Sequence, residues 1–187
     1  MGRIVPGIRS LKQHKQTFDK DSEQYSPSSC EQYRPPCCPH CGRRGLWGHG
    51  SYPRQADREH SSRESLNPVF IPRFICPSCG RTCSRLPECV APRRWYGWAL
   101  QEAVILLLLA GSSIRAASHA FLPSRRTVAR WWQWLQDSFE LFSFHLRSRE
   151  PALGRFPELR SFWTAALQEQ PLSAWMVALD QMEVVVP

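Results

Sequence analysis

Cys38-Pro39-His40-Cys41-Gly42 and Cys76-Pro77-Ser78-Cys79-Gly80 are two copies of one pattern, C-P-x-C-G, with 34 residues between Cys41 and Cys76. Two cysteines three apart in a tight turn present two thiolates to one ion. A second such turn completes the tetrahedral four-sulfur shell of a closed structural zinc site. The glycine after each second cysteine accepts the positive φ needed to reverse the chain past the ligand, and the prolines fix φ inside the turns. The expectation is one structural Zn²⁺ held by Cys38, Cys41, Cys76 and Cys79. Strands between the knuckles suit a ribbon and so favour zinc over an iron–sulfur cluster.

The spacing of Cys38 and Cys41 is also that of a dithiol redox centre. Such a centre opens a helix, whereas here Pro35-Pro36 precedes the pair and Gly42-Arg43-Arg44-Gly45 follows it. Cys37, Cys83 and Cys89 read as small packing hydrophobes, with a second metal site from Cys83 and Cys89 as the alternative. Cys30 reads as a non-ligand.

Working outward, residues 36–92 read as a zinc ribbon. A weak strand, Leu46 to Tyr52, follows the first knuckle, and a polar loop runs from Arg54 to Asn67. The β-rich segment Val69 to Ile75 then enters the second knuckle. A core this small buries too little surface to fold well alone, and metal binding, worth about 10–16 kcal/mol in zinc peptides, makes up the deficit. Residues 1–35 are polar and end in Ser/Pro-rich sequence, so they read as a disordered tail.

Residues 93–137 read as an all-α helix-turn-helix. Trp95, Trp98, Ala99, Ala103, Leu106, Leu107 and Ala110 recur at helical spacing, and Gly111 ends that helix. Ser112 or Ser113 caps a second helix through Ile114, Ala117 and Phe121, which Leu122-Pro123 breaks. Ser124 caps a third, Arg125 to about Asp137, with Val128, Trp131 or Trp132, and Leu135 on one face and Arg126, Arg130 and Gln133 on another. A basic second helix after a tight turn is what major-groove docking requires. Its N-terminal end would face double-stranded DNA with Ser124, Arg125, Arg126, Thr127 and Arg130, arginine reaching guanine and the hydroxyls reaching phosphate. The plainer reading is a three-helix bundle with a solvated basic face.

Residues 138–187 read as a helical extension without a motif, cut by Pro151, Pro157 and Pro171, with a strand-like run from Trp175 to Leu179. The apolar end, Val184-Val185-Val186-Pro187, suggests a truncated chain.

The net charge of +8 divides as +2 over residues 1–36, +6 over 37–94, +2 over 95–137 and −2 over 138–187. Basic charge focused on the cysteine region suits a polyanion. No signal peptide is visible, so a cytoplasmic protein is expected, and there paired C-x-x-C binds metal more often than it forms disulfides. The apolar run from Ala103 to Ala110 is too short for a membrane span of roughly twenty residues, so the chain is expected to be soluble, with no membrane partner. His40, His49, His60, His119 and His145 form no spaced pair with a carboxylate. A lone Asp180 or Glu183 lacks the later acid that a polynucleotidyl transferase needs to hold two divalent ions. The chain is therefore not expected to be an enzyme or to take a small-molecule substrate.

The two knuckles, the Leu46-to-Tyr52 stretch, Pro72-to-Thr82 and Ser124-Arg125-Arg126-Thr127-Val128-Ala129-Arg130-Trp131 resemble the zinc-ribbon plus helix-turn-helix front ends of bacterial insertion-sequence transposases, and of transposon-associated proteins of unknown function. The resemblance covers about residues 37–135. It implies a structural zinc on Cys38, Cys41, Cys76 and Cys79, DNA contacts from Ser124, Arg125, Arg126, Thr127 and Arg130, and a nucleoid-associated location in a bacterium. Partners would be DNA, a transposase, or a second copy of the chain. Leu122-Pro123 departs from the usual Gly-Val of the turn, and Cys83 stands where an aromatic is usual. The reading that follows is a zinc-stabilised DNA-binding protein of a mobile element. A zinc-ribbon protein-interaction module, docking through Trp131, Trp132 and Trp134, is the alternative. A second is a transposase whose catalytic domain lies outside the chain.

Overall fold

β-Rich sequence between the knuckles becomes a small sheet, and the helical periodicity after it becomes a bundle. The computed structural model describes residues 3–18, 27–56, 64–92 and 96–186. Contacts divide the chain into two units, Met1–Gly97 with Val185–Pro187, and Trp98–Val184.

In the first unit β1 (Ile4–Val5) and α1 (Leu11–Phe18) are followed by a 3-10 helix, Pro27–Tyr33. Then come β2 (Trp47–Arg54), β3 (Val69–Ile75), β4 (Thr82–Cys83) and β5 (Leu86–Pro87). The main sheet is antiparallel in the order β2-β3-β4, and β1 pairs in parallel with β5. On β3, Val69 and Ile71 pack with Leu86 and Val90. Phe74 instead joins Val5, Ile8, Tyr33, Leu46 and the knuckle residues Cys38 and Cys76.

The disordered tail expected over residues 1–35 is corrected by this arrangement for the part described. β1 lies against β5, with the Leu86 amide donating to the Arg3 carbonyl (2.8 Å) and the Glu88 amide to the Val5 carbonyl (3.0 Å). The Glu88 carboxylate accepts from the Gly7 amide at 2.9 Å. His14 is buried, its Nε2 against the Phe70 carbonyl at 2.8 Å and its Nδ1 against the Tyr33 hydroxyl at 2.7 Å. The few apolar residues of this segment, too sparse for a periodic signal, are spent on the ribbon core. Residues 1–2 and 19–26 of the expected tail lie outside the described residues, as do residues 57–63 of the polar loop (His60 among them) and Trp95.

The second unit is helical: α2 (Trp98–Leu109), α3 (Ile114–Ala120), α4 (Arg125–Asp137), α5 (Phe139–Arg149), α6 (Leu159–Glu169) and α7 (Leu172–Gln181). Gly111 takes φ +97°, as the sequence predicts, and the Ser112 amide returns to the Leu107 carbonyl to close α2. Arg160 donates to the carbonyls of Leu108 and Leu109, both at 2.7 Å. At the start of α7 the Leu172 amide donates to Glu102 at 2.6 Å. The core joins Val104, Ile105, Val128, Trp131, Leu135, Phe142, Phe162, Trp163 and Trp175.

Two further expectations are corrected here. α2 buries Trp98, Gln101, Val104, Ile105, Leu108 and Leu109, whereas Ala99, Leu106 and Ala110 of the expected face are exposed. The helix is apolar on nearly every side, so its spacing does not select a face. Trp175 to Leu179 is helical rather than strand-like, because a short apolar run fits either a buried strand or a buried helix.

Desolvation of the buried imidazole lowers the His14 pKa below 6.5, outweighing the bond to the Phe70 carbonyl. The unfolded chain therefore takes up a proton near pH 6.5 that the folded chain refuses. Stability falls as pH drops below that value and is unaffected by this group above it. Melting curves between about pH 5 and 8 are expected to show an acid-side slope that is shallower in His14→Gln than in the native chain. Tyr33→Phe leaves Nδ1 unpaired and is expected to cost about 1–3 kcal/mol.

Candidate functional site

The knuckles fold alike because their sequences are alike. In the first, the Cys38 amide donates to the Arg43 carbonyl (2.7 Å) and the Gly42 amide to the Cys38 carbonyl (2.9 Å). In the second, Cys76 donates to Arg81 (3.0 Å) and Gly80 to Cys76 (2.9 Å). Gly42 and Gly80 sit at φ +73° and +68°, the left-handed turn that their position predicts.

β2 and β3 bring the two turns together. The Sγ atoms of Cys38, Cys41, Cys76 and Cys79 all lie within 4.8 Å of one another. The closest approaches cross between knuckles, Cys38 to Cys79 at 3.7 Å and Cys41 to Cys76 at 3.6 Å. None of the four forms a disulfide. The first cysteine of each knuckle is buried and the second is exposed, so the site lies between the apolar cluster and the surface.

The sulfurs differ electrostatically. The Cys79 amide is the largest influence on Cys76; with the Ser78 amide and the neighbouring thiols it outweighs burial and lowers the pKa to about 6. Burial resists ionisation of Cys38, but the His40 and Cys41 amides prevail and lower its pKa as well. The Arg43 amide favours the Cys41 thiolate, yet burial and the other three thiols together push its pKa up to about 12. Four thiolates this close repel one another, and a divalent cation removes the conflict. The group can hold a metal ion.

Of the other cysteines, Cys83 pairs opposite Phe74 and packs on the cluster that contains Cys38 and Cys76, while Cys89 touches both apolar clusters. Neither they nor Cys30 or Cys37 belong to a metal-ligating group among the described residues.

The residues predicted to face DNA sit together at the start of α4. The Ser124 side chain accepts from the Thr127 amide at 3.4 Å, and the two hydroxyls lie 3.1 Å apart. Ser124, Arg125, Arg126 and Arg130 are exposed, and Thr127 is half-buried. Val128, Trp131 and Leu135 form the buried face expected of this helix. Ser113 caps α3 by accepting from the Ala116 amide at 3.1 Å. Arg115 and His119 are exposed on α3; neither was predicted to face DNA.

Residues 38–131, half of the chain, match the family described as a domain of unknown function (DUF6431), and the chain belongs to that family. The match opens on the first knuckle cysteine and closes on the buried Trp131 of α4. No curated protein and no solved structure matches the chain.

Purified protein is expected to carry one divalent ion per chain by elemental analysis, and to lose it as pH falls because the ligands must be thiolates. Cys76→Ser is expected to abolish stoichiometric metal and to lower the melting temperature by several degrees or more. Cys30→Ser, outside the group, is expected to change neither.

Proposed function

We propose that this chain is a zinc-stabilised, sequence-specific binder of double-stranded DNA belonging to a mobile element, acting as an accessory protein, a regulator or the front part of a transposase. The ion is zinc, because an all-thiolate tetrahedral shell suits it. α3 and α4 act as a helix-turn-helix, with α4 in the major groove. The carrying observation is the division of α4: Val128, Trp131 and Leu135 are buried, while Ser124, Arg125, Arg126 and Arg130 are exposed around its N-terminal turns. No carboxylate lies in the first turn of α4 to repel phosphate. Recognition would rest on the arginines, and affinity on phosphate neutralisation. Catalysis forms no part of this reading.

A protein-interaction module is the second reading, but the tryptophans do not support it. Trp131 is buried, Trp134 packs edge-on against Phe142, and Trp132 lies under the Arg160 guanidinium. What favours it is Leu141 and Phe144, one turn apart on α5 and 52% and 68% exposed.

Selection from random duplexes is expected to return a defined motif, bound more weakly as salt rises. Arg126→Ala is expected to cost about 1–3 kcal/mol and relax preference at one position, with metal content unchanged. No duplex binding even at low salt would sink the DNA reading in favour of the interaction module. Mg²⁺-dependent nicking by this chain alone would show it to be an enzyme.

A further inference from the structure

The two faces of the ribbon sheet are filled unequally. Phe70, Pro72 and Phe74 alternate onto one face of β3, and their register partners on β2 are Pro53, Ser51 and Gly48. Directly opposed residues of an antiparallel pair share a face. α1 and Arg34, the residue after the 3-10 helix, lie over this side: His14 bonds the Phe70 carbonyl, and the Arg34 guanidinium stacks 5.0 Å from the Phe74 ring centre.

Where β2 could fill the space beneath them it offers Gly48, Gly50 and Ser51. A Cβ added at either glycine would meet nothing within 4 Å. The result is an open cleft of about 710 Å³ whose lining includes Phe18, Phe70, Phe74, Gly48, Lys15 and Arg34. That volume falls within the roughly 300–1,000 Å³ of small-ligand sites. Phe70 remains 48% exposed into it, which a ring serving only the core would not be. The described lining carries three cationic side chains, Lys15, Arg34 and Arg73, and no carboxylate. Arg34 is held in place by Glu31, at 2.7 and 2.6 Å, and by the Leu46 carbonyl.

We infer that this cleft takes an unpaired nucleotide of single-stranded DNA, with the base against the exposed Phe70 ring and the side-chain-free backbone of β2, and its phosphate at Lys15. Aromatic rings beside fixed cations are how single-stranded nucleic acid is held without sequence readout, since every base offers a π-face. Cationic ligands are disfavoured by charge, and a paired base is disfavoured because its face is already stacked. The inference rests on the DNA reading for the class of partner but uses no residue of α4, so the two can fail separately.

The test titrates the full metal-loaded chain against a fluorescein-labelled oligothymidylate and a duplex of the same length, read by anisotropy. Gly48→Leu places a side chain on the cleft floor at a position without positive φ, unlike Gly50 at φ +69°. Lys15→Ala removes a cation from the exposed side of α1 and leaves the sheet untouched. Gly48→Leu is expected to weaken oligothymidylate binding about tenfold or more, and Lys15→Ala several-fold, with duplex affinity and metal content unchanged. Should Gly48→Leu lose its metal, Lys15→Ala decides the case. Native-level oligothymidylate binding in the variants overturns the inference, as does duplex binding by a native chain that ignores the single strand at low salt. Cleft-dependent single-strand binding without duplex binding would uphold it and remove α4 instead.

Discussion

Four thiols within 4.8 Å of one another are the constraint on which the ribbon depends. Each knuckle is a self-contained turn closed by its own two backbone bonds, but nothing local draws one knuckle to the other. The sheet does so, and the sheet is small: β4 is two residues long, and β2 carries a bulge between Gly48 and Ser51. An ion bound by both knuckles closes the loop between them and neutralises the thiolates that would otherwise repel. Cys38 and Cys76 are also members of the apolar cluster, so binding of an ion would engage residues that also pack the core.

That overlap gives the N-terminal segment its role. Val5, Ile8 and Tyr33 pack in the same cluster as Cys38 and Cys76. They add apolar contacts to a module that has few of its own. β1 reaches β5 across some eighty residues of sequence, and the Glu88 carboxylate holds the Gly7 amide over the same span. The family match begins at Cys38 and leaves this segment out. The ribbon is thus completed by sequence lying outside its most specific motif.

Legibility in the sequence followed the range of the interaction. The cysteine spacing, the positive-φ glycines, the caps at Ser113 and Ser124 and the buried face of α4 are fixed by residues within a few positions of one another, and all could be read. β1 could not, because a two-residue strand pairing at long range carries no periodic signal. Nor could the buried role of His14, whose partners, Tyr33 and the Phe70 carbonyl, lie 19 and 56 residues away. The buried face of α2 was misread for a different reason: the helix is apolar nearly all round, and tertiary packing chose the buried side. Trp175 to Leu179, read as strand-like, is helical because a short apolar run carries no period that tells the two apart. The cleft depends on glycines whose significance appears only once register sets Gly48 opposite Phe74.

Charge and shape divide the proposed task unevenly. The region of residues 37–94 carries a net +6, while 95–137, which contains α4, carries only +2. Non-specific affinity for DNA scales with the phosphates neutralised, so most of it would come from the ribbon region, where Arg43, Arg44 and Arg81 are exposed beside the knuckles. Discrimination among sequences needs side chains rigidly placed at base edges. Among the basic side chains, those on α4 sit on a helix with a bonded cap and a fully packed opposite face. If the ribbon folds only with its ion, DNA affinity would be metal-dependent without any sulfur having to touch DNA. The cysteines would govern how tightly the chain holds DNA, and the arginines of α4 where.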